Sequence, residues 1–292
     1  MKEPQPGDRI DDFTVVYKIS TGMNTDVLAV WHHRLLVPLI CKRLRSENAL
    51  RPKWIELLNQ EGKALSEMKH PGIVRLIEWN SEAESPYLLL EHVGGKTLRD
   101  LLKEPGAFET DHAVRIVQHL AAAVSHIHSK GYLHRDLKPS NVILRDNRPV
   151  LLDFGVVWRI NPERNPPDRS GTPQYLSPEQ IELGKLSPAT DVYGLGMLLY
   201  ELLGGERPFR KGALGTESDS LEEIYPQLVE PPKQLEETGS GIDPKLAAII
   251  YRCLDRQPEN RLQRAVDLIR ALDEFTVIKI WKTEAVDFNP FD

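Results

Sequence analysis

Over the first ninety positions, apolar residues alternate with polar ones or gather in short blocks between turn formers. Strands are expected at about 13–19, 25–31, 35–42, 73–79 and 86–91, where β-branched, aromatic and apolar residues cluster. One segment breaks the rhythm. In RPKWIELLNQEGKALSEMKH, Trp54, Leu57, Leu58, Leu65 and Met68 recur at helical spacing, and Glu61 lies on the same stripe. A carboxylate on an apolar face is costly unless it is paired. The nearest upstream cation in an apolar strand is Lys42, in LICKRL. The other reading places Glu61 at the solvated rim of the stripe.

Gly94 and Gly95 mark a break, after which helical periodicity takes over. TDHAVRIVQHLAAAVSHIHSKG predicts a helix capped by Thr110 or Asp111. Val114, Val117, Ala121, Val124 and His128 lie along its apolar stripe, and Gly131 is the stop. SPATDVYGLGMLLYELLGG is apolar on all sides and predicts a buried helix. Residues 205–245 are rich in Pro, Gly and Glu and read as a long surface connection with short helices. Two amphipathic helices follow, in PKLAAIIYRCLDRQPENR and RAVDLIRALDEF, and the tail 276–292 lies beyond them. No internal repeat is visible.

Composition narrows the class. The chain has 292 residues, 40% hydrophobic and 27% charged, which suits one large soluble domain or two lobes. A net charge of −6 provides no basic field for nucleic acid or an anionic membrane. Cys41 and Cys253 are too far apart for zinc spacing or a disulfide framework. The polar start MKEPQPGDRIDD is no signal peptide, and no apolar run approaches the roughly 18 residues of a membrane span. A cytoplasmic setting is expected, with neither nucleic acid nor membrane as partner.

Chemistry concentrates in YLHRDLKPSNVILRDNRPVLLDFG, which gathers His134, Arg135, Asp136, Lys138, Asn141 and Asp153. Val142 to Leu144 and Pro149 to Leu152 read as a hairpin turning at Asp146-Asn147, which brings Asn141 and Asp153 together. An amide oxygen beside a carboxylate is a hard-oxygen pair suited to Mg²⁺. Asp136 and Lys138 stand on the preceding loop, free to meet a substrate hydroxyl and a phosphate oxygen. Any one of these alone is more simply a surface loop group worth little; the set in this order is not.

These residues resemble the catalytic domain of eukaryotic-type (Hanks-type) serine/threonine protein kinases. HRDLKPSN is similar to the catalytic loop, DFG to the metal-binding turn and LICK to the strand with the phosphate-binding lysine. Ser177 to Glu179 stand where the family has A-P-E, TDVYGLG resembles the buried-helix aspartate motif, and Arg261 matches the arginine that pairs with that Glu. The match runs from residue 10 to about 275.

The resemblance implies an α+β bilobal fold. Residues 10–91 would form a small antiparallel-sheet N-lobe with one helix, 91–95 a hinge, and 96–275 a larger, mostly helical C-lobe. It implies ATP with Mg²⁺, or Mn²⁺ in its place, and a protein substrate carrying Ser or Thr. Lys42 would hold the α- and β-phosphates with Glu61 fixing it. Asp153 and Asn141 would hold the metal, Asp136 would accept the hydroxyl proton, and Lys138 would steady the transferred group. Ser20, Gly22, Val27, Ile40 and Ile143 would line the nucleotide slot. Backbone from Glu91 to Val93 would meet adenine, with Leu90 guarding the back pocket and Thr97 and Asp100 near the ribose. Leu65, Leu76, His134 and Phe154 match the apolar column of active kinases. DLKPSN and GTPQYLSPEQ resemble the serine/threonine class, the latter with a bacterial flavour.

Two departures stand out. In KISTGMNTDVLAVW the family's three loop glycines are Ser20, Gly22 and Thr25, with Asn24 where an aromatic is usual. Ile40 replaces the alanine expected over adenine. Glycine lets amides approach phosphate without strain, so weak nucleotide affinity is expected. A pseudokinase scaffold and a small-molecule kinase are the alternatives; the GTPQYLSPE segment, similar to a peptide platform, speaks against the second. In the segment after DFG, Asp168 is expected to pair with Arg135 in place of a phosphate. Otherwise Asp168 is solvated and Ser170 or Thr172 is phosphorylated. The tail carries Trp281, Phe288 and Phe291, for which large-lobe docking or disorder is expected over a return to the small lobe.

Overall fold

Alternation in the N-terminal strands sorts their side chains between two faces. The computed structural model describes residues 3–104, 108–161, 163–213, 220–235 and 241–276. Strands β1 (Arg9–Ile10), β2 (Phe13–Thr21), β3 (Thr25–His32), β4 (Val37–Leu44), β5 (Leu76–Asn80) and β6 (Tyr87–Glu91) form one antiparallel sheet in the order β1-β2-β3-β4-β6-β5. Phe13, Val15, Leu28, Val30, Leu39, Cys41, Tyr87 and Leu89 bury one face. The alternate positions of β4 and β6, Ile40, Leu88 and Leu90, belong to the main core with helix α1 (Pro52–Glu67). Period-2 alternation therefore puts Lys42 on the α1 side.

The strand expected at 73–79 starts three residues late. Ile73 and Val74 are buried, and the residues flanking Ile73 pair with the other lobe: Val74 N–H donates to Leu151 O (3.0 Å) and Gly72 O accepts Leu151 N–H (2.9 Å). The strand expected from 35 begins at Val37, because Leu36 takes a turn conformation at φ 55.

Beyond the hinge lie β7 (Lys96–Thr97), α2 (Leu98–Leu101), α3 (Thr110–Ser129), β8 (Tyr132–Leu133), β9 (Val142–Arg145), β10 (Arg148–Leu151), β11 (Trp158–Arg159), α4 (Pro178–Ile181), α5 (Pro188–Gly204), α6 (Leu221–Ile224), α7 (Pro244–Cys253) and α8 (Ala265–Leu272). The N-cap of α3 is Glu109, one residue before the expected Thr110, and it makes no side-chain cap; Asp111 instead pairs with Arg115 one turn on. Gly131 takes φ 78 just past its end, the left-handed stop expected. Every residue of α5 from Ala189 to Leu203 is buried, as its uniform apolarity required. The connection from 205 to 245 is less superficial than its composition suggests, since Gln227, Leu228 and Leu235 are buried.

One buried ion pair ties the C-lobe together. Arg261 donates to both Glu179 oxygens at 2.8 Å and lies 4.9 Å over the Tyr193 ring. Among the described residues no helix is long and apolar enough to cross a membrane. The tail beyond Thr276, with its aromatic residues, lies outside the described residues.

Candidate active site

Sheet and helices meet at a cavity of about 660 Å³. Ser20, Gly22, Val27, Ile40, Lys42, Leu90, Glu91, Val93, Thr97, Asn141, Ile143 and Asp153 line it, so the structure brings these sequence-derived candidates together. Asp100 does not line it; its carboxylate is taken by Thr97 and Lys103. The cavity also runs under α1, past Met23, Leu44, Trp54, Leu57 and Leu58. That annex was foreshadowed only by the α1 stripe.

At its floor Lys42 holds three bonds. Its Nζ donates to both Glu61 oxygens at 2.8 Å and to Asp153 Oδ1 at 2.6 Å. Glu61 is buried, not solvated at the rim, and accepts Phe154 N–H as well (3.3 Å). Burial works against the Lys42 charge, but Asp153 and Glu61 outweigh it and raise the pKa. Lys42 holds the Asp153 carboxyl well below the usual carboxylate range, with help from Gly155 N–H. Asp153 adopts φ 53, and a Cβ on Gly155 would stand 3.0 Å from Lys42 Nζ and 3.2 Å from Asp153 Oδ1. Only glycine leaves that space open.

The hairpin of β9 and β10 turns at Asp146 (φ 51) and Asn147 (φ 60), both left-handed, as a two-residue type I′ turn requires. Leu152 N–H donates to Asn141 O (2.8 Å), fixing the segment before Asp153. Asn141 spends its Nδ2 on Asp136 O (2.9 Å) and Asp136 Oδ2 (3.1 Å), which leaves its Oδ1 as a ligand oxygen. An ionised carboxylate and a free amide oxygen on one wall fit a hard cation such as Mg²⁺.

Asp136 is fixed from three sides. Its Oδ2 accepts Lys138 Nζ (2.7 Å) and Asn141 Nδ2, and its Oδ1 accepts Thr172 N–H (2.8 Å). Lys138 also donates to the Thr172 hydroxyl. Sequence reasoning named Thr172 only as a phosphorylation alternative and missed this contact. It also missed His128, read as part of the α3 stripe. His128 Nε2 shares a hydrogen bond with Asp191 Oδ2 (2.8 Å), and Asp191 accepts the His134 and Arg135 amides at 2.9 Å. A polar residue on an apolar stripe was the signal, as it was for Glu61.

The expected pair between Asp168 and Arg135 is not formed. The Asp168 carboxylate accepts the Ser170 hydroxyl, and only its backbone carbonyl reaches Arg135 Nη2 (3.4 Å). A hydroxyl two residues away offers a nearer donor than the guanidinium. Arg135 is instead buried over the Trp158 ring at 5.6 Å, and its Nε has no partner among the described residues. Burial lowers its pKa.

The glycine-poor hairpin closes on itself. Gly22 N–H donates to Thr25 O (2.8 Å), while Asn24 O accepts Arg45 N–H (3.0 Å). At the hinge, Glu91 N–H donates to Arg75 O (2.9 Å). Its side chain accepts Arg75 N–H (3.0 Å) and Arg145 Nη1 (3.1 Å), strapping β6 to β9. His134 and Phe154 stack edge-on with centroids 4.9 Å apart, and Leu65 and Leu76 pack in the same core.

Residues 13–271 match the family described as Protein kinase domain. Serine/threonine-protein kinase PknB of Mycobacterium leprae is 33% identical over 244 residues, 80% of this chain and 38% of its own length. Serine/threonine-protein kinase PknA of Mycobacterium tuberculosis is 33% identical over 219 residues, 72% of this chain and 51% of its own. The chain thus spans about two fifths to one half of these relatives. The crystal structure of the Mycobacterium tuberculosis PknI kinase domain shares the fold, with a TM-score of 0.69 and 21% identity over 93% of this chain and 99% of that one. The chain belongs to the protein kinase domain family.

Proposed function

We propose that the chain transfers the γ-phosphoryl group of ATP to Ser or Thr hydroxyls of protein substrates. The observation that carries this reading is the closed Lys42–Glu61–Asp153 cluster beside an Asp136 already oriented by Lys138, Asn141 and Thr172. Phosphoryl transfer asks for positioning and charge stabilisation more than covalent chemistry. Lys42, relieved of the Asp153 contact, binds the α- and β-phosphates while Glu61 keeps it in place. Asp136 Oδ2 accepts the hydroxyl proton and aims the oxygen in line. Lys138 neutralises charge on the moving group. Adenine meets the Glu91 carbonyl and the Val93 backbone, because the Glu91 amide is already bonded to Arg75. Asp153 and Asn141 Oδ1 would hold Mg²⁺, or Mn²⁺, which would supply charge neutralisation at the phosphates.

Affinity for nucleotide is weak in this reading. The single loop glycine spends its amide on Thr25, so that amide is not offered to phosphate. The same observation favours a second reading, a pseudokinase acting as a regulated scaffold. Incubation with γ-labelled ATP, Mg²⁺ and a generic protein substrate separates the two. Wild type is expected to incorporate label, and Asp136→Asn about a hundredfold to ten-thousandfold less. Equal incorporation by both leaves the scaffold.

A further inference from the structure

At the Thr172–Tyr175 turn, two guanidinium groups and one carboxylate come together. Glu201, on α5, is only 3% exposed, and both of its oxygens are satisfied from within. Oε1 accepts Arg99 Nη1 (2.9 Å) and Oε2 accepts the Tyr175 hydroxyl (2.7 Å). Arg99 also bonds the Tyr175 hydroxyl with its second nitrogen. Arg207 completes the group, donating to the Gln174 side chain, and its charge bears on Tyr175. Neighbouring acids are committed elsewhere, Glu206 to Lys233 and Glu230 to Arg210. Among the described residues no carboxylate pairs with Arg207.

This corner is rigidly tied to the reaction centre. Thr172 bonds Asp136, and Tyr175 N–H donates to Thr172 O (2.8 Å). The buried Gln227 pins the same turn through Pro173 O (3.0 Å) and Leu176 O (3.2 Å). Gln174 and Tyr175 follow Thr172 by two and three residues. They lie on a 3-10 turn, Pro173–Tyr175, rising about 2.0 Å per residue, so they stand about 4–6 Å along it from Thr172, a distance that one or two residues of an extended peptide, at about 3.3 Å each, would span. A basic substrate residue there would find Glu201 occupied and two like charges facing it.

We propose that the Arg99–Arg207 corner selects protein substrates carrying an Asp or Glu within about three residues of the phosphorylated Ser or Thr. This rests on the phosphotransfer reading above and assigns its specificity. Arg207, with N–H groups not spent on Gln174, makes the charge-assisted contact; Arg99 supplies field while holding Glu201.

The test is a set of single-Thr peptides with Ala, Glu or Arg at each position from −3 to +3, read both by transfer and by fluorescence anisotropy of binding. Wild type is expected to show about tenfold higher kcat/KM and tighter binding with Glu at one of these positions, and lower values with Arg. Arg207→Gln should erase the Glu preference while retaining transfer to the Ala peptide. Arg207→Glu should invert it, favouring Arg at the same position, which a merely structural role would not do. Glu no better than Ala everywhere, or Arg207→Gln slowing all peptides alike, overturns the proposal. Glu-selective binding without transfer to any peptide overturns the kinase reading instead.

Discussion

Lys42 Nζ on β4 donates to Asp153 Oδ1 across 2.6 Å, joining residues 111 positions apart in sequence. The same ammonium neutralises the buried Glu61, whose side chain is 3% exposed. Lys42, the proposed phosphate-binding residue, is therefore also a structural counter-charge. Lys42→Met leaves Glu61 buried and unpaired. Its expected cost is about 3–5 kcal/mol of stability in urea unfolding, together with loss of transfer. Lys42→Met with Glu61→Gln should recover much of the stability and none of the activity. Equal stability of Lys42→Met and wild type would show that Glu61 is satisfied without Lys42.

The same pair sets an acid limb. The folded-state pKa of Asp153 is depressed by Lys42, so its contribution to stability is fully present above the unfolded carboxylate value, about 4. That contribution is lost as pH falls through the folded value, below the usual range. Its side chain is 45% exposed towards the cleft, so solvent screens part of the effect. Asp153→Asn is expected to flatten the fall in stability below about pH 4 and to abolish transfer. Parallel pH–stability curves for the two proteins would refute the coupling.

Restoring loop glycines should tighten nucleotide binding. Ser20→Gly with Thr25→Gly frees backbone for phosphate; at roughly 1 kcal/mol per added amide contact, ATP should bind about tenfold tighter. Added freedom of the unbound loop opposes part of this gain. Calorimetric titration checks it, and unchanged affinity would mean that the present loop holds phosphate through its side chains.

Because the Asp168 carboxylate bonds Ser170 and not Arg135, Asp168→Ala should leave the activity of phosphatase-treated protein within about twofold. A fall of tenfold or more would mean that the carboxylate acts on Arg135 during turnover.

Much of this architecture was readable along the chain. Glu61 on the α1 stripe demanded a cation, and Lys42 was the nearest one in an apolar strand. Asp146-Asn147 between apolar runs specified a tight hairpin because both residues tolerate left-handed backbone. Uniform apolarity buried α5. Each signal lies within one or two elements, where periodicity and turn chemistry act. Other features had no such trace. Arg99 meets Glu201 from 102 residues away, and His128 meets Asp191 from 63. Asp168 turned to Ser170, and Ile73 and Val74 left the sheet for Leu151. These outcomes depend on how α3, α5 and the loop after DFG pack against one another. A long polar side chain takes whichever partner that packing brings within about 3 Å, and local sequence carries no record of the competition.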